Sequence, residues 1–186
     1  MKEIEEIKKE VEAILFAIPD PISAQRIANA IGERPSIIKK TIKIINEEYE
    51  KNDKPYRISE IAGGYIIHTL PEYGDIIAEI LGKKFMRLSR PSLVTLAIIA
   101  YKQPVSKIEI DEIRGVDSSG TLKTLLEAEF IKIVGKGESI GHPFLYGTTK
   151  KFLQAFHLKS IEDLPRIENE NSALFSPGRD NFQTEG

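Results

Sequence analysis

The chain has 186 residues, of which 41% are hydrophobic and 29% charged, and its formal net charge is −2. That balance belongs to a folded chain with room for one medium domain or two small ones. The absence of cysteine excludes disulfides, thiolate metal sites and thiol catalysis, and the near-neutral total argues against strong non-specific nucleic-acid binding by the chain as a whole.

Ile4, Ile7, Val11, Ile14, Leu15 and Ile18 recur at helical spacing with Glu and Lys between them, which predicts an amphipathic helix over 4–18. Pro19 and Pro21 stop it. Ser23 is placed to cap a short helix through Ile31, with Gly32 as its C′ residue. Pro35 and Ser36 open a longer helix with Ile38, Ile42, Ile45 and Tyr49 on one face. The period then changes to two. Segments 56–61 and 65–69 read as strands joined by Gly63-Gly64, and a helix over 72–81 closes at Gly82. Downstream, a helix over 93–101 is broken by Pro104. Ser106 caps a second that ends before Gly115, and Asp117 or Ser118 caps a third running to about Ala128. Segments 130–134 and 144–148 read as strands flanking a Gly-rich connection over 135–141. The longest apolar run, 96–101, is far shorter than the roughly 20 residues that span a bilayer. The opening Lys2, Glu3, Glu5 and Glu6 does not read as a targeting segment, so the cytoplasm is the expected compartment and no membrane partner is expected.

The same order of elements occurs twice. Sliding 11–32 onto 94–115 superposes Val11 on Val94, Pro21 on Pro104, Ser23 on Ser106, Ile27 on Ile110 and Gly32 on Gly115. These are the core, turn and cap positions that a helix–turn–helix requires, which favours duplication. Three helices followed by a β-hairpin make a winged helix. The expected fold is therefore mainly α with small β wings (α+β), as tandem winged-helix domains over 1–82 and 92–165. A basic linker, 83–91, carries Lys83, Lys84, Arg87 and Arg90, and a flexible polar tail follows over 166–186. The charge divides unevenly, with a net of −4 over 1–82, +4 over 83–165 and −2 over the tail.

Little in the sequence serves catalysis. Glu109, Asp111 and Glu112 form the densest acidic cluster, but on a short amphipathic helix they fall mostly on its solvent side. Gly135, Gly137 and Gly141 lie in no strand–loop–helix phosphate motif, and a wing tip accounts for them. His68, His142 and His157 are too scattered for a metal site; His68 reads as a strand-surface or core residue and His142 as a loop residue. No enzyme, cofactor or metal is expected. For base reading, the third helix of the second unit offers Lys123 beside Glu127 and Glu129, a poor surface for phosphates. Lys39, Lys40 and Lys43 leave weak contact with a nucleic-acid backbone open.

Apolar surface is a stronger signal. The helix over 93–101 is apolar nearly all round, more than one small core can cover. The candidate partner-binding residues are Leu93, Val94, Ile98 and Tyr101 with the adjoining Lys102 and Gln103. The competing arrangement turns Leu93, Leu96, Ala97 and Ala100 to the domain's own core while Val94, Ile98 and Tyr101 pack on the first unit. Ile37 and Ile44 lie off the main stripe of their helix. With Ile4 and Ile7 of the first helix they are the candidate dimer contacts.

Residues 96–104 (Leu-Ala-Ile-Ile-Ala-Tyr-Lys-Gln-Pro), Ile113-Arg114-Gly115-Val116, Leu145-Tyr146-Gly147-Thr148-Thr149 and Leu164-Pro165 resemble the segregation and condensation protein B (ScpB) family. The likeness covers about 1–165 in element order, with its motifs concentrated in 88–165. Two positions depart from the usual pattern: Gly141-His142-Pro143 stands where the family typically has Gly-Arg-Pro, and Phe156-His157-Leu158 where it tends to have Phe-Gly-Leu. The resemblance implies a prokaryotic, nucleoid-associated factor with tandem winged helices. It further implies a non-enzymatic subunit of the SMC–kleisin complex, forming a homodimer that binds the kleisin ScpA and reaches the SMC ATPase through it, with no cofactor of its own. The kleisin is expected at Leu93, Val94, Ile98, Tyr101, Lys102 and Gln103. A winged-helix DNA-binding transcriptional regulator is the rival reading.

Overall fold

A computed structural model describes residues 3–81 and 88–166. Lys83, Lys84, Arg87, Gly82 and the tail over 167–186 lie outside the described residues. What is described is α+β and falls into two compact units: 3–81 with 157–160, and 88–156 with 161–166.

In the first unit, helix α1 (Ile4–Ala17) buries Ile7, Val11 and Leu15, one residue per turn. Helix α3 (Pro35–Lys51) buries Ile38, Thr41, Ile42, Ile45 and Tyr49, and these two stripes form one core with Ile22, Ile27, Ala28 and Ile58. Lys8 is buried on the inner side of α1, where Glu48 meets its ammonium at 2.5 Å and Glu5 at 3.1 Å. Its hydrogen bond to Glu48 outweighs the burial and raises its pKa. Between them lies α2 (Ala24–Ile31). Ser23 Oγ accepts the Arg26 N–H at 3.3 Å, and Gly32 ends the helix at φ 77°, a left-handed conformation that costs a side-chain-bearing residue energy.

The first wing is the antiparallel pair β1 (Tyr56–Ile61) and β2 (Gly64–Thr69), with Ile58 opposite Ile67. Two interactions tie it to the helices. Ile22, just before α2, exchanges backbone hydrogen bonds of 3.0 and 2.8 Å with Tyr65 on one edge. On β1, the side-chain amide of Asn46 in α3 accepts the Ile58 N–H at 2.9 Å and donates to its carbonyl at 2.8 Å. Helix α4 (Gly74–Leu81) follows a 3-10 turn over Pro71–Tyr73, so the α-helix begins two residues later than its periodicity predicts. Residues 157–160 pack here and not, as the element order predicts, with the second unit: the Ala62 N–H donates to the Leu158 carbonyl at 2.9 Å, and Lys159 lies 3.6 Å from Glu60.

The second unit repeats the plan. Helix α5 (Arg90–Lys102) begins three residues before the predicted start, because Ser89 Oγ caps the Ser92 N–H and Pro91 is accommodated in the first turn. Arg90 is thus helical, not part of a linker. A two-residue strand β3 (Val105–Ser106) stands 83 positions after the Ile22 bridge, and α6 (Lys107–Arg114) has the length of α2. Ser106 and Glu109 form a reciprocal capping box, and Gly115 ends α6 at φ 70°. Helix α7 (Ser119–Glu127) is only nine residues, against seventeen for α3. Strands β4 (Ile131–Lys136) and β5 (Phe144–Thr148) form the second wing in the order β3-β5-β4, with an irregularity between Ile133 and Gly135. Last comes α8 (Lys150–Ala155), whose Thr149 cap accepts the Phe152 N–H at 3.3 Å.

The wing–helix junction of the first unit is tight. A Cβ on Gly64 would lie 2.7 Å from the Ile22 nitrogen and the Pro21 carbonyl carbon, which are backbone atoms and cannot swing away. Gly64→Ala is therefore expected to destabilise the chain by about 2 kcal/mol or more. Gly74→Ala, where an added Cβ meets nothing within 4 Å, should leave stability unchanged or slightly improved. Urea unfolding of both variants checks this.

Candidate functional site

Helix α5 positions the site. Its apolar residues occur all round, but they divide into two sets. Ser92, Thr95, Leu96, Ile98, Ile99 and Ala100 are buried, with Thr95 Oγ1 bonded to Thr121 Oγ1 of α7 at 3.0 Å. Leu93 remains 45% exposed, with Val94, Ala97 and Tyr101 half-buried beside it. Phe152 and the largely exposed Phe156, at the end of α8, face this second set. Leu164 completes an open apolar groove of about 400 Å³, and Arg90 stands at its rim. The Tyr101 hydroxyl donates to the Pro165 carbonyl at 2.9 Å, so the phenol ring is held as one wall.

Of the six residues predicted for the partner surface, Leu93, Val94 and Tyr101 line this groove and Lys102 is exposed next to it. Two do not belong. Ile98 is 1% exposed and sits in the unit's own core. Gln103 is half-buried, and its Oε1 accepts the Thr148 N–H at 2.6 Å and the Thr148 hydroxyl at 3.1 Å. It fastens the end of α5 to β5. The competing arrangement also fails in part, since Leu93 faces the groove while Leu96 and Ala100 are buried. Phe152, Phe156 and Leu164 were not among the candidates; the i, i+4 spacing of the two phenylalanines was the available signal.

Among the candidate dimer residues, Ile7 is 4% exposed and packs in the first core, so it is not free for a partner. Ile4 is 42% exposed, and Ile37 and Ile44 are half-buried on the flank of α3. Phe16, edge-on to Tyr56 at 5.7 Å, is a further large apolar side chain exposed on this unit. Lys39, Lys40 and Lys43 are exposed.

The acidic residues of α6 have structural work. Glu109 Oε2 accepts the Ser106 hydroxyl at 2.6 Å and its N–H at 2.8 Å, bonds that lower its pKa. Asp111 accepts the Ser118 N–H at 2.8 Å and meets Lys107 at 2.5 Å. Burial opposes ionisation of Asp111, but the bonds from Lys107 and Ser118 outweigh it and hold the carboxyl below its ordinary range. Only Glu112 is simply solvated. His68 is a strand residue, its Nε2 2.7 Å from Ser59 Oγ. Among the described residues, no group of three or more His, Asp or Glu is placed to hold a metal ion, and no helix is long and apolar enough to cross a membrane.

Fold and groove together define a tandem winged-helix protein whose second unit presents an open apolar surface. The family model for segregation and condensation complex subunit ScpB matches residues 9–167. Segregation and condensation protein B of Syntrophotalea carbinolica is 39% identical over 163 residues, covering 88% of this chain and 83% of that protein. Among solved structures, ScpB from Mycobacterium tuberculosis aligns with TM-score 0.42 and 24% identity, over 84% of this chain and 98% of that one. A dimer of an ScpB N-terminal domain complexed with an ScpA peptide aligns with TM-score 0.39 and 22% identity, over 41% of this chain and 96% of that one. The chain belongs to the ScpB family of chromosome segregation and condensation proteins.

Two measurements probe the supporting framework. Ile98→Asp places a charge in a closed core and should unfold the second unit, a loss of about 4 kcal/mol or more in chemical denaturation. For Asp111, the folded pKa lies below the unfolded one, so the stability it contributes is present above about pH 4 and is lost as pH falls below that. Asp111→Ala should therefore be less stable at pH 7 by about 1–3 kcal/mol. Its stability should also decline less steeply than that of the parent between about pH 4 and pH 2, measured by urea unfolding across that range.

Proposed function

We propose that this chain is a non-enzymatic subunit of the prokaryotic SMC–kleisin complex, binding the kleisin ScpA as a homodimer in chromosome condensation and segregation. The reading is carried by the groove between α5 and α8. Leu93, Val94 and Phe156 present contiguous apolar surface to solvent in a groove beside the unit's core, and such surface calls for a partner. A kleisin helix with apolar residues at i, i+3 or i+4, and i+7 supplies the matching stripe. Acidic flanks on that helix would meet Arg90 and Lys102, which lie at the rim of the groove and beside it. The chain acts by holding the kleisin, and the SMC ATPase is reached through it.

We assign the dimer contact to the first unit, at Ile4, Ile37 and Ile44. These residues end or flank the buried stripes of α1 and α3 and extend the apolar surface beyond what the core covers.

Leu93→Asp and Val94→Asp should keep the fold, because neither side chain is closed in the core, and should weaken capture of ScpA at least about 10-fold, roughly 1.4 kcal/mol. Ile44→Asp in the full chain should convert the dimer to monomer in sedimentation at tens of micromolar while leaving circular dichroism unchanged. Normal ScpA capture by both groove variants would put the kleisin elsewhere, and a persistent Ile44→Asp dimer would move the dimer contact.

A further inference from the structure

The two helix–turn–helix elements differ in one respect that neither kleisin binding nor dimerisation uses. In the first unit, Arg26 on α2, Arg34 in the turn and Lys39, Lys40 and Lys43 on α3 are all exposed. None of the five is engaged in an ion pair among the described residues. Several other cations are held: Lys8 by Glu48 and Glu5, Lys107 by Asp111 and Asp117, Lys151 by Glu129, and Arg57 by the Lys54 and Tyr56 carbonyls. The corresponding helix of the second unit has a single outward lysine, Lys123, which lies 3.9 Å from Glu127.

Helix energetics do not account for the arrangement. The first turn of α3 contains no acid, and Lys39, Lys40 and Lys43 precede Glu47, Glu48 and Glu50, with Lys51 closing the helix. Glu48 and Glu50 in the last turn run against the helix macrodipole, which favours only Lys51 there. Lys39 and Lys43, four residues apart, repel each other. Along the sequence the nearest acid outside α3 is Glu33 in the turn, which is half-buried. An external polyanion accounts for what local stability does not. The three lysines belong to the N-terminal half of the second helix of a helix–turn–helix, the part that enters a DNA major groove while the first helix lies across the backbone. From Ser36 to Lys43 the helix rises about 10 Å, within the groove width of about 12 Å.

We propose that the first helix–turn–helix, through Arg26, Arg34, Lys39, Lys40 and Lys43, binds the phosphate backbone of duplex DNA without reading its sequence. The amide side chains that read adenine edges are missing from the exposed face of α3. The exposed positions of α3 are Ser36, Lys39, Lys40, Lys43, Glu47, Glu50 and Lys51, with no Asn or Gln, and on α2 the amides of Gln25 and Asn29 bond each other at 2.7 Å. By helical geometry Lys39 and Lys43 project about 100° or more away from Ile37 and Ile44, whereas Lys40 lies within about 60° of both, so Lys39 and Lys43 are clear of the assigned dimer flank and Lys40 borders it. The contact goes beyond the kleisin reading and does not require it.

The test is fluorescence anisotropy with the full chain and two labelled duplexes of about 30 base pairs and unrelated sequence, in about 50 and 150 mM salt. Binding should be the same for both sequences and fall with salt as three to five phosphate contacts require, a log–log slope of about −2.7 to −4.5. The combined Lys39→Ala, Lys40→Ala, Lys43→Ala variant should reduce that slope by about 3 and weaken binding at least about 10-fold at the lower salt. Lys43→Glu alone should weaken it in the same direction. ScpA capture should be that of the parent, which separates this proposal from the kleisin reading. Lys132→Ala with Lys136→Ala, in the second wing, should bind DNA as the parent does. Absence of an anisotropy rise at about 100 μM chain in the lower salt would overturn the proposal. So would undiminished binding by the triple variant, transfer of the loss to the second-wing pair, or loss of ScpA capture with DNA binding intact.

Discussion

The length of one short helix governs each unit. A serine fixes where that helix begins and a glycine in the left-handed region fixes where it ends, so α2 and α6 both have eight residues. Three residues separate α2 from α3, which determines where the long helix starts and which of its faces meets α1. In the second unit the constraint is stronger. Ser106 and Glu109 satisfy each other's end of the helix, and Asp111 carries the fold onward by accepting the Ser118 N–H. Two of the three carboxylates of α6, Glu109 and Asp111, are thus spent on chain geometry.

The unequal third helices separate the two units. With seventeen residues, α3 buries five side chains and still has a full outward face, whereas α7 buries two along nine residues. The second unit draws its remaining cover from α8, through Phe152. Because α8 is itself only six residues long, it closes one end of α5 and leaves the strip containing Leu93, Val94 and Tyr101 open. The groove is therefore a by-product of two short helices covering one longer apolar helix.

Much of this was legible in the sequence. Caps and helix-ending glycines act within a few residues, so Ser23, Gly32, Ser106 and Gly115 fall where local spacing puts them. What was illegible depends on distant partners. An all-round apolar helix has no stripe, so nothing in 90–102 distinguishes the buried Ile98 from the open Leu93; the positions of α7 and α8 decide. Gln103 reads as a polar residue at a turn, yet its amide oxygen is bound to Thr148, 45 residues away. Ile4 and Ile7 continue one stripe in the sequence, yet Ile7 is buried and Ile4 is exposed, a difference the period does not encode. Strand β3, with two residues, is too short for alternation to register.

The Asn46 side chain has a consequence for solubility. A β-hairpin normally presents at least one row of free amides and carbonyls, a template on which a strand from another molecule can pair. At Ile58 both groups of that row are already taken by a single asparagine amide, and Ile22 occupies the opposite edge at Tyr65. One polar side chain thus serves as a strand of a single residue. The first wing is closed against edge-to-edge growth at its midpoint, so copies of this chain can be brought together at high local concentration without their wings polymerising.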